Sequence, residues 1–116
     1  MFAVNTTTVE NIQVVTMVGE IDGSTAPRAQ EQILALAGTG TVGTGGKVIL
    51  DMTGVTYMSS AGLRMLLLAY RTISGKGGKI VLVGLSSDLQ DTMSATGFLD
   101  FFTCTDTLDA GLKELA

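Results

Sequence analysis

The sequence predicts an α/β domain built on a mixed sheet of four to five strands, with an opening antiparallel hairpin and about four helices. Three observations predict it. The N-terminal segment holds two adjacent β-prone runs separated by Glu10-Asn11. Beyond them, short β-branched runs alternate with stretches of helical apolar spacing, the pattern of strands joined by helices. The chain has 116 residues, 46% hydrophobic and 16% charged, enough for one core and one domain over residues 1–116 and unlike a disordered chain.

Phe2 to Glu10, with Thr6, Thr7, Thr8 and Val9, reads as the first strand and Ile12 to Val18 as the second, with Glu10-Asn11 as the tight turn between them. Gly19-Glu20-Ile21-Asp22-Gly23 closes that strand. A helix is expected from Thr25 to Ala37: Ser24 or Thr25 caps it, Pro27 suits its first turn, and Ala29, Ile33, Leu36 and Ala37 form its apolar face. Gly38 to Gly46 is a glycine-threonine loop. Val48, Ile49 and Leu50 then form a buried central strand ending in Asp51. Val55, Tyr57 and Met58 lead into Ser59-Ser60, the start of a helix in which Leu63, Leu66, Leu67 and Tyr70 share one face. Met65, Leu68 and Ala69 lie off that face, as apolar surface beyond what one core-facing stripe needs.

Gly75-Lys76-Gly77-Gly78 stops this helix. Lys79 to Val83 is the next strand. Ser86 or Ser87 opens a third helix that ends near Thr96, with Gly97 as its stop and Leu89, Met93 and Ala95 toward the sheet. Phe98 to Thr103 is expected as an edge strand. Thr105 to Leu115 is expected as a final amphipathic helix through Leu108, Leu112 and Leu115, with Asp106 and Asp109 in its first turn, where the dipole favours them.

Composition excludes several chemistries. With no histidine and one cysteine, the chain has no internal disulfide, no Ser–His or Cys–His couple and no zinc site of His and Cys. Cys104, near Phe101 and Phe102, reads as a small buried hydrophobe. Seven basic residues are scattered singly in a chain of net charge −4, which argues against nucleic acid as a partner. The longest fully apolar run, Met65 to Tyr70, is far short of a membrane span, and the N-terminus lacks a secretory layout, so a cytoplasmic location with no membrane partner is expected. The triplet Asn5-Thr6-Thr7 matches a glycosylation acceptor that would stand idle there.

Two glycine motifs fail on context. Gly38 to Gly43 spells G-x-G-x-x-G, but an expected helix precedes it and a strand follows, the reverse of a dinucleotide loop. Gly46-Lys47 ends like a phosphate loop, yet Val48 stands where a magnesium-binding hydroxyl belongs. No cofactor and no metal is expected. Asp22 and Asp51, each placed at the C-terminal end of an expected strand, lack a third ligand and read as turn caps or loop anchors.

The paired serines carry the functional reading. A serine oxygen can accept an unpaired first-turn N–H, and Ser59 is expected to do so. Ser60 then stands at the positive end of a helix dipole, at the sheet's C-terminal edge, beside Ala61 and Gly62, which leave space for a partner's backbone. Spacing alone leaves it either a second capping serine or a hydroxyl open to phosphorylation.

The segment from Val48 to Leu66, VILDMTGVTYMSSAGLRML, resembles the signature of bacterial anti-sigma factor antagonists, members of the STAS domain family. Val18 to Asp22 followed by Thr25 and Ala26, the strand from Gly78 to Gly84 and the Gly97-Phe98-Leu99 corner are similar too, so the likeness covers nearly the whole chain and implies a single STAS-like domain. In that family a serine at the start of this helix is phosphorylated by the partner anti-sigma factor, a serine kinase. Counting back from Gly62-Leu63 puts that residue at Ser60, with Ser59 as the alternative. The family commonly reads Asp-Ser-Ser/Thr-Gly-Leu; here Ser59 takes the aspartate's place and Ala61 that of the second hydroxyl residue, which bears on kinase recognition. The glycine loop is also longer than typical.

The resemblance implies a docking surface of Asp22, Thr25, Ser59, Ser60, Ala61, Gly62, Leu63, Arg64 and Met65. It implies that the unmodified form binds the anti-sigma factor and frees a sigma factor, that phosphorylation switches binding off, and that a serine phosphatase resets the switch. ATP and magnesium would belong to the kinase, and the protein would be a monomer or weak dimer that is not itself an enzyme. Two rivals remain: a non-phosphorylated STAS interaction subunit of a transport or signalling assembly, and an enzyme such as a nucleotide hydrolase.

Overall fold

In a computed structural model, which describes residues 2–38 and 46–115, β1 (Phe2–Val9) pairs antiparallel with β2 (Ile12–Ile21) in unbroken register from Phe2–Gly19 to Val9–Ile12. Glu10 and Asn11 both take left-handed backbone, with φ 50° and 68°, which is the geometry of a type I′ hairpin turn. From β2 the sheet continues in parallel through β3 (Lys47–Met58), β4 (Lys79–Val83) and β5 (Thr103–Thr105), giving the order β1-β2-β3-β4-β5. The helices between are α1 (Ala26–Gly38), α2 (Ser60–Gly75), α3 (Ser87–Ala95) and α4 (Leu108–Leu115).

The central strands are buried on both faces, as near-continuous apolar runs require. On one face Ile21, Leu50, Met52 and Leu82 meet Ile33 of α1, Leu66 and Ile73 of α2 and Met93 of α3. On the other, Ile12, Val14, Ile49, Val81 and Val83 meet Leu115 of α4. The expected hairpin is present, and the described residues hold five strands and four α-helices, within the four to five strands and about four helices expected. Gly77 and Gly97, expected as helix stops, both have φ 78°, the left-handed backbone that glycine adopts without a Cβ penalty.

Several boundaries differ from expectation. The central strand does not end at Asp51. It runs on to Met58 because β2 also runs on to Ile21, and the two stay paired through register shifts between Thr16 and Val18 and between Gly19 and Glu20. Asp51 is therefore mid-strand, at the point where pairing with β4 stops. Phe98–Phe101 forms a 3₁₀ turn instead of an edge strand. Its aromatic neighbourhood holds it on the helical side: Tyr70 lies 5.7 Å from Phe101 and 5.5 Å from Phe102, ring centre to ring centre. The edge strand starts only at Thr103, and Cys104 on it is exposed instead of buried, although its partial enclosure pushes the thiol above its ordinary pKa.

α4 begins at Leu108, where Thr107 Oγ1 accepts the Ala110 N–H at 3.2 Å, so Asp106 precedes the helix and only Asp109 lies in its first turn. Ala95 is exposed. The glycine-threonine loop and its G-x-G-x-x-G letters fall, apart from Gly38 and Gly46, outside the described residues.

Candidate functional site

β2 and β3 end side by side, with Ile21 opposite Met58, and the chain leaves each strand into a helix. After β2 it makes a tight polar turn. Asp22 Oδ1 accepts from the Ser24 hydroxyl at 2.7 Å, the Ser24 N–H at 2.9 Å and the Thr25 N–H at 3.1 Å. Thr25 Oγ1 accepts the Asp22 N–H at 2.9 Å and donates to the Glu20 carbonyl at 2.8 Å. This reciprocal set satisfies the free donors ahead of α1. The Ser24 hydroxyl, and after it the Ser24 backbone N–H, hold the Asp22 carboxyl below its ordinary pKa. Asp22 is thus the turn cap its sequence position suggested.

After β3 the Ser59 N–H donates to the Ile21 carbonyl at 2.8 Å, and the Ser59 carbonyl accepts the Leu63 N–H at 3.1 Å. Ser59 occupies the N-cap position with extended backbone, but its side chain makes no cap hydrogen bond. Its Oγ is buried without a partner. The expectation that this hydroxyl caps the helix is therefore wrong: the capping position is filled, and its oxygen points into the protein. Ser60, the first residue of α2, is exposed. No acidic residue lies in the first turn, so nothing on α2 itself offsets the positive end of the dipole.

Gly62 is not open space for a partner. A Cβ there would run into the Met58 side chain and come within 2.9 Å of Ile21 Cγ2, so this glycine lets α2 lie close on the ends of β2 and β3. Leu63 is 7% and Met65 2% exposed, and Ala69 is buried as well. Met65 and Ala69 are core, not surplus surface, because α2 packs against α1 as well as the sheet. Of the nine residues expected to form a docking surface, Ser60 and Arg64 are exposed. Asp22, Thr25, Ser59 and Ala61 are half-buried, and Gly62, Leu63 and Met65 are enclosed.

Leu68, read from the sequence as apolar surface off the core-facing stripe, is exposed at 38%, and so are two apolar side chains that the sequence reading did not place at the site, Tyr57 at 53% and Val18 at 45%. Tyr57 sits two strand positions past Val55, just ahead of the serines. Leu68 lies on the same side of α2 as Arg64, one helical turn further on. Alternation alone would have put Tyr57 on the buried face of Val55; the register shift between Gly19 and Glu20, opposite these two residues, breaks the alternation and turns Tyr57 outward.

Asp51 does not join Asp22. Its Oδ1 accepts from the Thr53 hydroxyl at 2.6 Å and the Thr53 N–H at 3.1 Å, a local closure within β3. Among the described residues no group of three His, Cys, Asp or Glu is placed to hold a metal ion. No described helix is long and apolar enough to cross a membrane.

Comparison with known proteins places this geometry. The family model described as the STAS domain matches residues 3–111. The anti-sigma-B factor antagonist of Listeria monocytogenes is 34% identical over 82 residues, which cover 71% of this chain and 68% of that protein. The crystal structure of an anti-sigma factor antagonist from Mycobacterium paratuberculosis superposes with a TM-score of 0.86 at 23% identity, over 99% of this chain and 94% of that one. The Bacillus cell fate determinant SpoIIAA, solved in its phosphorylated form, superposes with a TM-score of 0.74 at 17% identity, over 100% of both chains.

Proposed function

The chain belongs to the STAS domain family, and we propose that within it the protein acts as an anti-sigma factor antagonist switched by phosphorylation of Ser60. One observation carries the choice of residue: of the two adjacent serines, Ser60 is exposed while the Ser59 oxygen is buried. A kinase needs the hydroxyl within reach of a nucleotide. In the transfer the Ser60 oxygen bonds to the γ-phosphorus of ATP, the bond to the ADP oxygen breaks, and the hydroxyl proton passes to a base on the kinase. ATP and magnesium belong to that partner.

The unmodified surface around Ser60, with exposed Tyr57, Arg64 and Leu68 beside it, docks on the anti-sigma factor, and the sigma factor is released. Phosphorylation adds about −1.5 to −2 charges at the centre of that surface. The positive end of α2, with no acidic residue in its first turn, tolerates the new charge, so docking is lost while the fold persists. A serine phosphatase restores the hydroxyl. The protein works by binding, and its chemistry is done by its partners. The names of its relatives and the existence of a phosphorylated form of SpoIIAA support this reading.

The test is mass mapping after incubation with the cognate kinase-type anti-sigma factor and ATP. Phosphate on Ser60 is expected; phosphate on any other residue overturns the assignment. Co-purification with a transporter instead of a kinase would favour the rival reading as an interaction subunit of a transport assembly.

A further inference from the structure

Ser60 and Arg64 stand four positions apart on α2, and both are exposed. Residues so spaced are neighbours on one helix face, about 5–6 Å between Cβ atoms. The acidic member on the N-terminal side is the favourable order for such a pair, because it also suits the dipole. α2 carries no acidic residue along its length, and its cations are Arg64 and Arg71. Arg71 lies 11 positions beyond Ser60, about 16 Å along the axis, out of reach. The lysines at 47, 76 and 79 sit at the opposite end of β3 and α2. Arg28 is held over the Phe2 ring, 5.5 Å from its centre.

We propose that Arg64 is the partner of phosphorylated Ser60 within the same chain: its guanidinium clamps the phosphate across one turn of α2. This rests on the reading of Ser60 as the modified residue and deepens it. The guanidinium fork matches phosphate oxygens geometrically, and a neighbouring cation favours the dianion. The pair does two things at once. It holds the phosphate along the helix, and it withdraws the one cation within a turn of the serine from the docking surface. The local charge presented to the anti-sigma factor thereby reverses, from +1 for free Arg64 to about −1 for the pair. A partner surface that reads Arg64 in the unmodified state meets both a lost contact and a repulsive one after modification.

The other charged groups on elements packed against α2 are Glu20 and Asp22 at the end of β2, Arg28 and Glu31 on α1, Lys47 and Asp51 on β3, Lys79 on β4 and Asp100 in the 3₁₀ turn. Glu20 and Asp22 are nearest the serine along the Ser59–Ile21 junction, and they oppose the phosphate charge. They are unchanged in an Arg64 variant, so they cancel in a comparison.

The experiment uses full-length protein with phosphoserine incorporated at position 60 during synthesis, and follows the phosphorus NMR shift against pH. The second ionisation of free phosphoserine lies near 6. The clamp predicts that Arg64→Gln raises it by roughly 0.15–0.4 unit relative to the unsubstituted chain, that Arg64→Lys recovers part of this, and that about 1 M salt shrinks the difference. An Arg64→Gln curve that overlies the parent curve at low salt overturns the proposal. Because no kinase is involved, that failure leaves the choice of Ser60 intact, and phosphate mapped elsewhere by a kinase leaves this measurement standing.

Discussion

The backbone N–H of Ser59 donates to the carbonyl of Ile21 across 2.8 Å, which joins the head of α2 to the strand that feeds the Asp22–Thr25 turn. The two helix starts therefore form one corner, and damage to either turn is expected to reach the other. Thr25 Oγ1 accepts from Asp22 and donates to Glu20. Thr25→Ala removes both bonds and should cost about 1 kcal/mol, the net value of a typical hydrogen bond, read as a lowered urea midpoint with unchanged slope.

Asp22 gives a pH signature. Its carboxyl is held below the ordinary value by Ser24 and Thr25, so its contribution is fully present above the unfolded pKa of about 4 and fades as pH falls through the lower folded value. The parent protein should exceed Asp22→Asn in stability by a constant margin at neutral pH. In thermal melts that margin should shrink below pH 4; a margin that grows on acidification would contradict the hydrogen bonds.

Ser59 makes an inverted prediction. Its oxygen is buried without a partner, and removing such a group relieves a desolvation cost. Ser59→Ala should leave stability unchanged or raise it by up to about 1 kcal/mol, and the variant should still accept phosphate. Replacement of a working helix cap would instead lose about 1 kcal/mol, so equilibrium unfolding separates the two.

Gly62→Ala forces a methyl group against Met58 and Ile21. Overpacking of this kind costs about 1–3 kcal/mol. Chemical denaturation should show the loss, and anti-sigma factor binding should weaken, because the start of α2 must lift.

Ser60 itself separates fold from switch. Ser60→Ala should stay folded, refuse phosphate and bind the anti-sigma factor constitutively; Ser60→Asp should stay folded and bind weakly. Calorimetric titration with the unsubstituted partner reads both. Equal affinity of the two variants would mean that charge at this position does not govern docking.

How much of this was legible varies with the physics. The hairpin, the β4 run and the glycine stops were legible because each is decided by local backbone preference or an uninterrupted apolar run. The far half of β3 was not. Asp51, Thr53 and Gly54 read as turn residues, yet Asp51 and Thr53 satisfy each other. Gly54 makes room for Val18, whose Cγ2 would stand 2.9 Å from a Cβ there. Polar letters that satisfy one another can sit in a strand.

Met65 was misjudged because apolar spacing counts one buried stripe, while α2 buries a second against α1. The position of Ser60 at the helix start was legible, and that Ser59 hides its oxygen was not: two adjacent serines spell the same letter twice, and only their opposite directions tell them apart.

β3 pairs with β4 only as far as Asp51 and with β2 as far as Met58, and β1 flanks β2 only up to Gly19, opposite Val55, so the sheet narrows to three strands at Gly54 and Val55 and to a two-stranded spur at Tyr57 and Met58. Spurs of this kind open at lower free energy than the slab that bears them. Amide exchange should be faster from Gly54 to Met58 than from Val48 to Leu50. On the proposed reading, the hydroxyl that would take the charge is thereby mounted just past the least supported end of the sheet.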